Sequence, residues 1–63
     1  MKKGTLLKML GLSRNSRTWK IVNGYLNDKY NQMVMFCRLV DLFDGDQKQA
    51  NMIAWQVADW QAA

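Results

Sequence analysis

The chain has no proline, no histidine and one cysteine, Cys37, and each scarcity excludes a class of structure or chemistry. Without proline, no helix is broken by ring closure. One cysteine cannot form an internal disulfide framework, and it favours a reducing, cytoplasmic compartment. One thiol without histidine supplies too few zinc ligands and no Ser-His or Cys-His nucleophile pair. We therefore expect no metal, no other cofactor and no enzymatic activity, since only scattered Asp, Lys and Tyr remain for acid–base chemistry.

Length and composition predict a single small helical domain spanning residues 1–63. Apolar residues make up 49% of the chain, too many for a disordered segment. The basic start does not continue as a signal peptide, because Lys8 interrupts the apolar run that follows it. The longest apolar stretch, residues 33–43, contains Arg38 and Asp41 and is far shorter than the roughly 20 residues needed to span a bilayer. We therefore expect no membrane partner.

Charge is divided unevenly between the two halves of the chain. Residues 1–30 contain seven of the nine Lys and Arg residues and one Asp, so this half has a formal charge of +6. Residues 31–63 contain two basic and four acidic residues, so that half has a charge of −2. The net charge is +4. This segregation favours a polyanion facing the first half, although small domains often carry a net charge of this size.

Glycines and capping residues predict an all-α fold, a compact bundle of about four short helices. The predicted helices cover residues 6–10, 13 or 16 to about 22, 29–43 and 47 to about 61. Their predicted N-caps are Thr5, Ser13 or Ser16, Asn27 or Asp28, and Asp46, the last with Gln49 in a capping-box pattern. Gly11 is expected to end the first helix and Asn23-Gly24 the second, because these residues tolerate the left-handed conformation.

Apolar residues cover roughly 220° of the predicted third helix, helix 29–43. A helix this apolar is normally surrounded by others, so we expect it at the centre of the core. Cys37 is expected to be a buried small apolar residue. Core filling is favoured over an adaptable binding groove for Met33, Met35 and Met52. Asp41, Asp44 and Asp46 lack the spacing and closing Glu of a calcium loop and are interpreted as caps and surface charges.

The fourth helix has a core stripe and a second apolar patch. The stripe consists of Ala50, Ile53, Ala54, Val57 and Trp60. Met52 and Trp55 lie on the opposite side with Asp59, and we predict that this patch packs across a two-fold dimer interface or against a protein partner. The alternative is that Trp55 folds back over the basic N-terminal segment.

The N-terminal segment meets the requirements of a helix-turn-helix within residues 5–23. Leu6, Leu7 and Leu10 can pack on a second helix, and Gly11 can adopt the positive φ that the turn needs. The second helix would begin with short polar and basic residues, 13–18, that can reach bases and phosphates. Ile21 and Val22 would then point back into the domain.

This segment resembles the recognition helix of bacterial and phage helix-turn-helix repressors. The resemblance lies within residues 5–24, in Leu10-Gly-Leu-Ser-Arg-Asn-Ser followed by Lys20-Ile-Val-Asn-Gly. It implies that Arg14, Asn15, Arg17 and Thr18 lie at the major groove of double-stranded DNA. Phosphates would be neutralised by Lys2, Lys3, Lys8 and Lys20. Trp19 could touch the DNA backbone, but a core position is favoured.

Two functions from different classes follow. The first is a small non-enzymatic DNA-binding regulator of transcription, of the kind that phages and plasmids encode, with its basic N-terminal half on DNA. The second is a small helical adaptor or inhibitor that binds a host protein through the apolar C-terminal surface, Met52, Trp55 and Asp59. A membrane-active cationic peptide is disfavoured, because Lys and Trp do not occupy opposite faces of one helix.

Overall fold

A computed structural model describes residues 2–63, which form four helices and no strand. The helices are α1 (Lys3–Leu10), α2 (Arg17–Leu26), α3 (Gln32–Leu42) and α4 (Gln47–Ala62). The predicted all-α bundle of four short helices is therefore confirmed. Helix α2 packs on α3, α3 on α4 and α4 on α1. Within the described part of the chain, every helix is too short or too polar to cross a membrane.

The core draws on all four helices. Its buried apolar side chains are Leu6, Trp19, Val22, Met35, Leu39, Ala50, Ala54, Val57 and Trp60. The predicted stripe of α4 is confirmed, with Ile53 partly buried at its edge. The core position of Trp19 is confirmed as well. Burial of each large side chain stabilises the fold by about 1.5–3 kcal/mol relative to exposure. A domain this small depends on these contributions, because it buries a smaller share of its surface than a larger protein does.

Helix α1 begins earlier than its sequence predicts but ends where expected. Thr5 is inside the helix, so its predicted role as N-cap is wrong. The cap position is Lys2, without a side-chain hydrogen bond. In the first turn of α1, the Lys3 ammonium donates to the side chains of Asn23 in α2 and of Asn27, the C-cap of α2. Gly11 ends α1 as predicted, with a φ of 67°.

Helix α2 begins at a predicted cap but continues past its predicted end. Ser16 is the N-cap, and its Oγ accepts from the Trp19 N–H at 3.1 Å. The prediction that Asn23-Gly24 closes the helix is wrong, because both residues are helical. Gly24 is needed there for another reason. A Cβ at this position would lie 2.8 Å from Cζ of Tyr30, whose hydroxyl donates to the Ile21 carbonyl.

Helix α3 is shorter and less enclosed than expected. Asn31 caps it through a bond from the Val34 N–H to Asn31 Oδ1 at 2.9 Å, so the predicted caps Asn27 and Asp28 are wrong. Those two residues form the turn after α2, where Asp28 has a φ of 61°.

The expected burial of α3 on nearly all sides is also wrong. Met35 and Leu39 are buried, whereas Met33 and Cys37 are exposed. The reason is that α3 packs chiefly against α2 and α4, which leaves another side of the helix open to solvent. The predicted burial of Cys37 is therefore wrong. Of the three methionines expected to fill the core, Met35 does so, whereas Met33 and Met52 of α4 are exposed.

Helix α4 follows its sequence prediction closely. Asp46 is the N-cap, and its Oδ1 accepts from the Gln49 N–H at 3.1 Å. The preceding turn uses left-handed conformations at Asp44 and Gly45, with φ values of 55° and 89°. The turn and the cap thus fix the direction in which α4 leaves α3 and place its core stripe inward.

Candidate nucleic-acid interface

The basic residues of the N-terminal half are all on the surface. The predicted DNA-contacting residues that are exposed are Lys2, Lys3, Lys8, Arg14, Asn15, Arg17 and Lys20. Residues 2–27 contain no acidic residue, so nothing within this stretch offsets their charge. The exposed charges of α1, α2 and their connection are therefore all positive.

Helix α2 separates its charged face from its buried face. Arg17 and Lys20 are three residues apart and share the exposed face, whereas Trp19 and Val22 enter the core. Thr18 is buried with only 9% of its surface exposed. The expectation that Thr18 contacts a major groove is therefore wrong, because its side chain is covered by the fold.

Lys3 is tied to the same side of α2. Its Nζ donates to Asn23 Oδ1 at 3.1 Å and to Asn27 Oδ1 at 2.5 Å. Asn23 and Asn27 are one helical turn apart, so together they hold the ammonium against the C-terminal half of α2. The two bonds place one positive charge at the C-terminal end of the helix that carries Arg17 and Lys20. The role of the two asparagines was missed by sequence reasoning, although their spacing of four residues was a usable signal.

Arg14 and Asn15 lie in the connection between α1 and α2. Of the two predicted caps, Ser13 and Ser16, the structure has Ser16, so α2 begins at Arg17 and residues 13–16 are not helical. The connection is nevertheless ordered by local hydrogen bonds: Ser16 Oγ donates to the Ser13 carbonyl at 2.8 Å, and the Ser16 N–H donates to the same oxygen at 3.1 Å. Arg14 is thus held in a tight turn directly before the N-terminus of α2.

We define the basic surface by four exposed cations of α1, α2 and their connection: Lys3, Arg14, Arg17 and Lys20. Four of the five acidic residues, Asp41, Asp44, Asp46 and Asp59, belong to α3, α4 and the turn between them, and the fifth, Asp28, lies in the turn after α2. Arg38 on α3 stacks over the Tyr30 ring at 4.6 Å from its centroid. The charge segregation of the sequence is therefore preserved in space, with the basic surface on α1 and α2.

A second exposed surface lies on α3 and α4. Met52 and Trp55 are 63% and 68% exposed, and Asp59 is also exposed. The alternative in which Trp55 folds back over the N-terminal segment is wrong, because so much of its side chain remains open. Trp55 borders a groove of about 470 Å³ whose other lining residues are Gln32, Met33, Phe36, Asn51, Ala54 and Ala58.

Sequence reasoning missed the part of this surface that α3 supplies. Met33 is 74% exposed and lines the groove opposite Trp55. The chain length could have indicated this exposure. In a chain of 63 residues, three other helices cannot cover an apolar arc of roughly 220° on α3. The face therefore combines residues of α3 and α4.

Among residues 2–63, no group of three His, Cys, Asp or Glu side chains could hold a metal ion. Comparisons with protein-family models, with curated proteins and with solved structures return no match to this chain.

Proposed function

We propose that the protein is a small, non-enzymatic, cytoplasmic regulator that binds double-stranded DNA through the basic surface. The observation that carries the proposal is the concentration of exposed cations on α1, α2 and their connection, in a stretch without a carboxylate. Duplex DNA carries a dense array of phosphates, and Lys and Arg residues that neutralise them release condensed counterions. A surface of this kind favours contact with the DNA backbone.

The arrangement supports phosphate binding more strongly than base reading. Arg17 and Lys20 lie along α2, and Lys3 is held beside them by Asn23 and Asn27. Such contacts position a protein on the duplex without reading its sequence. Arg14 and Asn15 have side chains suited to guanine and adenine edges, and their exposed turn keeps them available for a groove. The proposal thus retains the DNA ligand implied by the repressor resemblance and assigns contact to the basic surface.

Salt dependence provides the test. With four phosphate contacts, the logarithm of the binding constant should fall against the logarithm of salt concentration with a slope of about −3.6. Affinity should then drop about 100-fold between roughly 50 mM and 200 mM salt. Fluorescence anisotropy with a labelled, mixed-sequence duplex of about 20 base pairs measures this, and single-stranded DNA and duplex RNA serve as competing ligands. Folded protein that fails to bind the duplex at the lowest salt contradicts the proposal.

Protein binding through the second surface is the alternative function. The observation that favours it is the exposed Trp55 beside the groove of α3 and α4, since large exposed apolar patches mark interaction sites. In this case the protein acts as an adaptor or inhibitor, and a Trp55→Ala variant stays folded but loses its partner.

A further inference from the structure

Helix α4 has a second, solvent-exposed stripe with a basic residue at one end and an acidic residue at the other. Its members are Lys48, Met52, Trp55 and Asp59, all exposed, and we call this stripe the α4 seam. The spacings of four, three and four residues are those of an a/d seam in a coiled coil, so the four side chains share one helix face. The apolar pair is at the centre, with a cation at one end and a carboxylate at the other.

We propose that the α4 seam packs antiparallel against the same seam of a second copy of this chain. The midpoint between Met52 and Trp55 is also the midpoint between Lys48 and Asp59. A two-fold axis through this point places Met52 against Trp55 of the partner subunit. The same axis places Lys48 opposite Asp59 of the partner subunit. One symmetry operation thus matches both the apolar pair and the charged pair, as an isologous interface requires.

The groove beside the α4 seam also favours a second copy of this chain as the binding partner. It is lined by Met33, Phe36 and Trp55 among others, and none of its lining residues is charged. Two copies that approach through this face therefore bring no like charges together within the groove, despite a net charge of +4 on each. The Trp55 ring of each copy stands next to a groove that can receive an apolar side chain from the other.

The small area that the α4 seam can bury limits the strength of the dimer. A stable interface buries about 800 Å² per partner, which is nearly a fifth of the 4505 Å² exposed by the described chain. The seam from Lys48 to Asp59 is only about 16 Å long, so we expect a weak dimer that forms at roughly 10–100 µM protein. The basic surface lies on α1 and α2 and remains available in that dimer.

A charge-swap experiment tests the pairing. Lys48→Asp places four carboxylates around the axis, and Asp59→Lys places four cations there, so each variant alone should dimerise at least about tenfold more weakly than wild type. A mixture of the two variants restores both opposite-charge contacts and should form a heterodimer. Both changes suit the helix dipole, because Lys48 lies in the first turn of α4 and Asp59 in its last turn. Sedimentation velocity of each variant and of the mixture gives the result.

Alanine substitutions test the apolar centre of the α4 seam. Trp55→Ala should raise the dimer dissociation constant about 30-fold, as expected for a central tryptophan. Met52→Ala should weaken the dimer, whereas Met9→Ala, at an exposed methionine on α1, should leave it unchanged. The proposal is overturned if wild type stays monomeric up to about 1 mM protein. It is equally overturned if a dimer forms but mixing the charge variants does not restore it. DNA affinity is measured separately, so these results do not depend on the proposed function.

Discussion

Replacing Arg14, Arg17 and Lys20 together with glutamine is expected to weaken binding to duplex DNA at least 100-fold at about 50 mM salt. Each lost phosphate contact should also reduce the slope of affinity against salt by about one. All three side chains are exposed, so their replacement removes charge without opening the core. Fluorescence anisotropy across a salt series measures both the affinity and the slope.

The chain offers a control with the same loss of charge. Replacing Lys29, Arg38 and Lys48 with glutamine also lowers the formal net charge from +4 to +1. These residues lie outside the basic surface, in the loop before α3 and on α3 and α4. Because Lys48 belongs to the α4 seam and Arg38 stacks on Tyr30, both triple variants are compared below about 1 µM protein, where the proposed dimer is dissociated, and their folding is checked by circular dichroism. Under these conditions the control should keep most of the wild-type affinity, apart from a weak long-range effect. Equal losses in the two triple variants would mean that net charge, and not the basic surface, determines binding.

Gly24→Ala is expected to destabilise the protein by about 2 kcal/mol, although alanine is ordinarily the better helix former. The added methyl group would lie 2.8 Å from Cζ and 2.9 Å from Cε2 of Tyr30. The ring is held by its hydroxyl bond to the Ile21 carbonyl and by stacking under Arg38, so it cannot move aside freely. Thermal unfolding followed by circular dichroism should show a Tm lowered by about 8–16 °C.

Gly4→Ala is the matched control. Gly4 is also helical, and a Cβ there would have no atom within 4 Å. The substitution should therefore stabilise the protein by about 0.5 kcal/mol through backbone entropy alone. Opposite signs at the two glycines distinguish close packing from helix propensity. A stabilising Gly24→Ala would contradict the described contact between α2 and Tyr30.

The sequence predicts the helices well where local chemistry decides them. Ser16 and Asp46 cap through their own side chains, and Gly11 ends α1 through its left-handed conformation, so each is recognisable without tertiary contacts. One error arises because a residue outside the helix decides where it ends. Asn23-Gly24 has the composition of a helix end, but Tyr30 packs over Gly24 and the helix continues to Leu26.

The two surfaces could be predicted to different degrees. Segregated charge and the off-stripe position of Trp55 are sequence properties, so both surfaces could be predicted, but pattern alone left open whether Trp55 folds back over the N-terminal segment. The contribution of Met33 depends on which side of α3 remains uncovered, which is a property of the bundle. The burial of Thr18 likewise follows from where α2 begins. Local pattern therefore gives the elements, and packing decides which side chains are free to bind.

The most direct test of the central claim is a nuclear magnetic resonance titration of isotope-labelled protein with mixed-sequence duplex DNA at low salt. We expect the perturbed backbone signals to cluster at Lys3, in the connection around Arg14 and along the first turns of α2 at Arg17 and Lys20. Signals of the groove between α3 and α4, such as those of Met33 and Trp55, should change little. Perturbations confined to that groove, or none at all with folded protein, would contradict DNA binding through the basic surface.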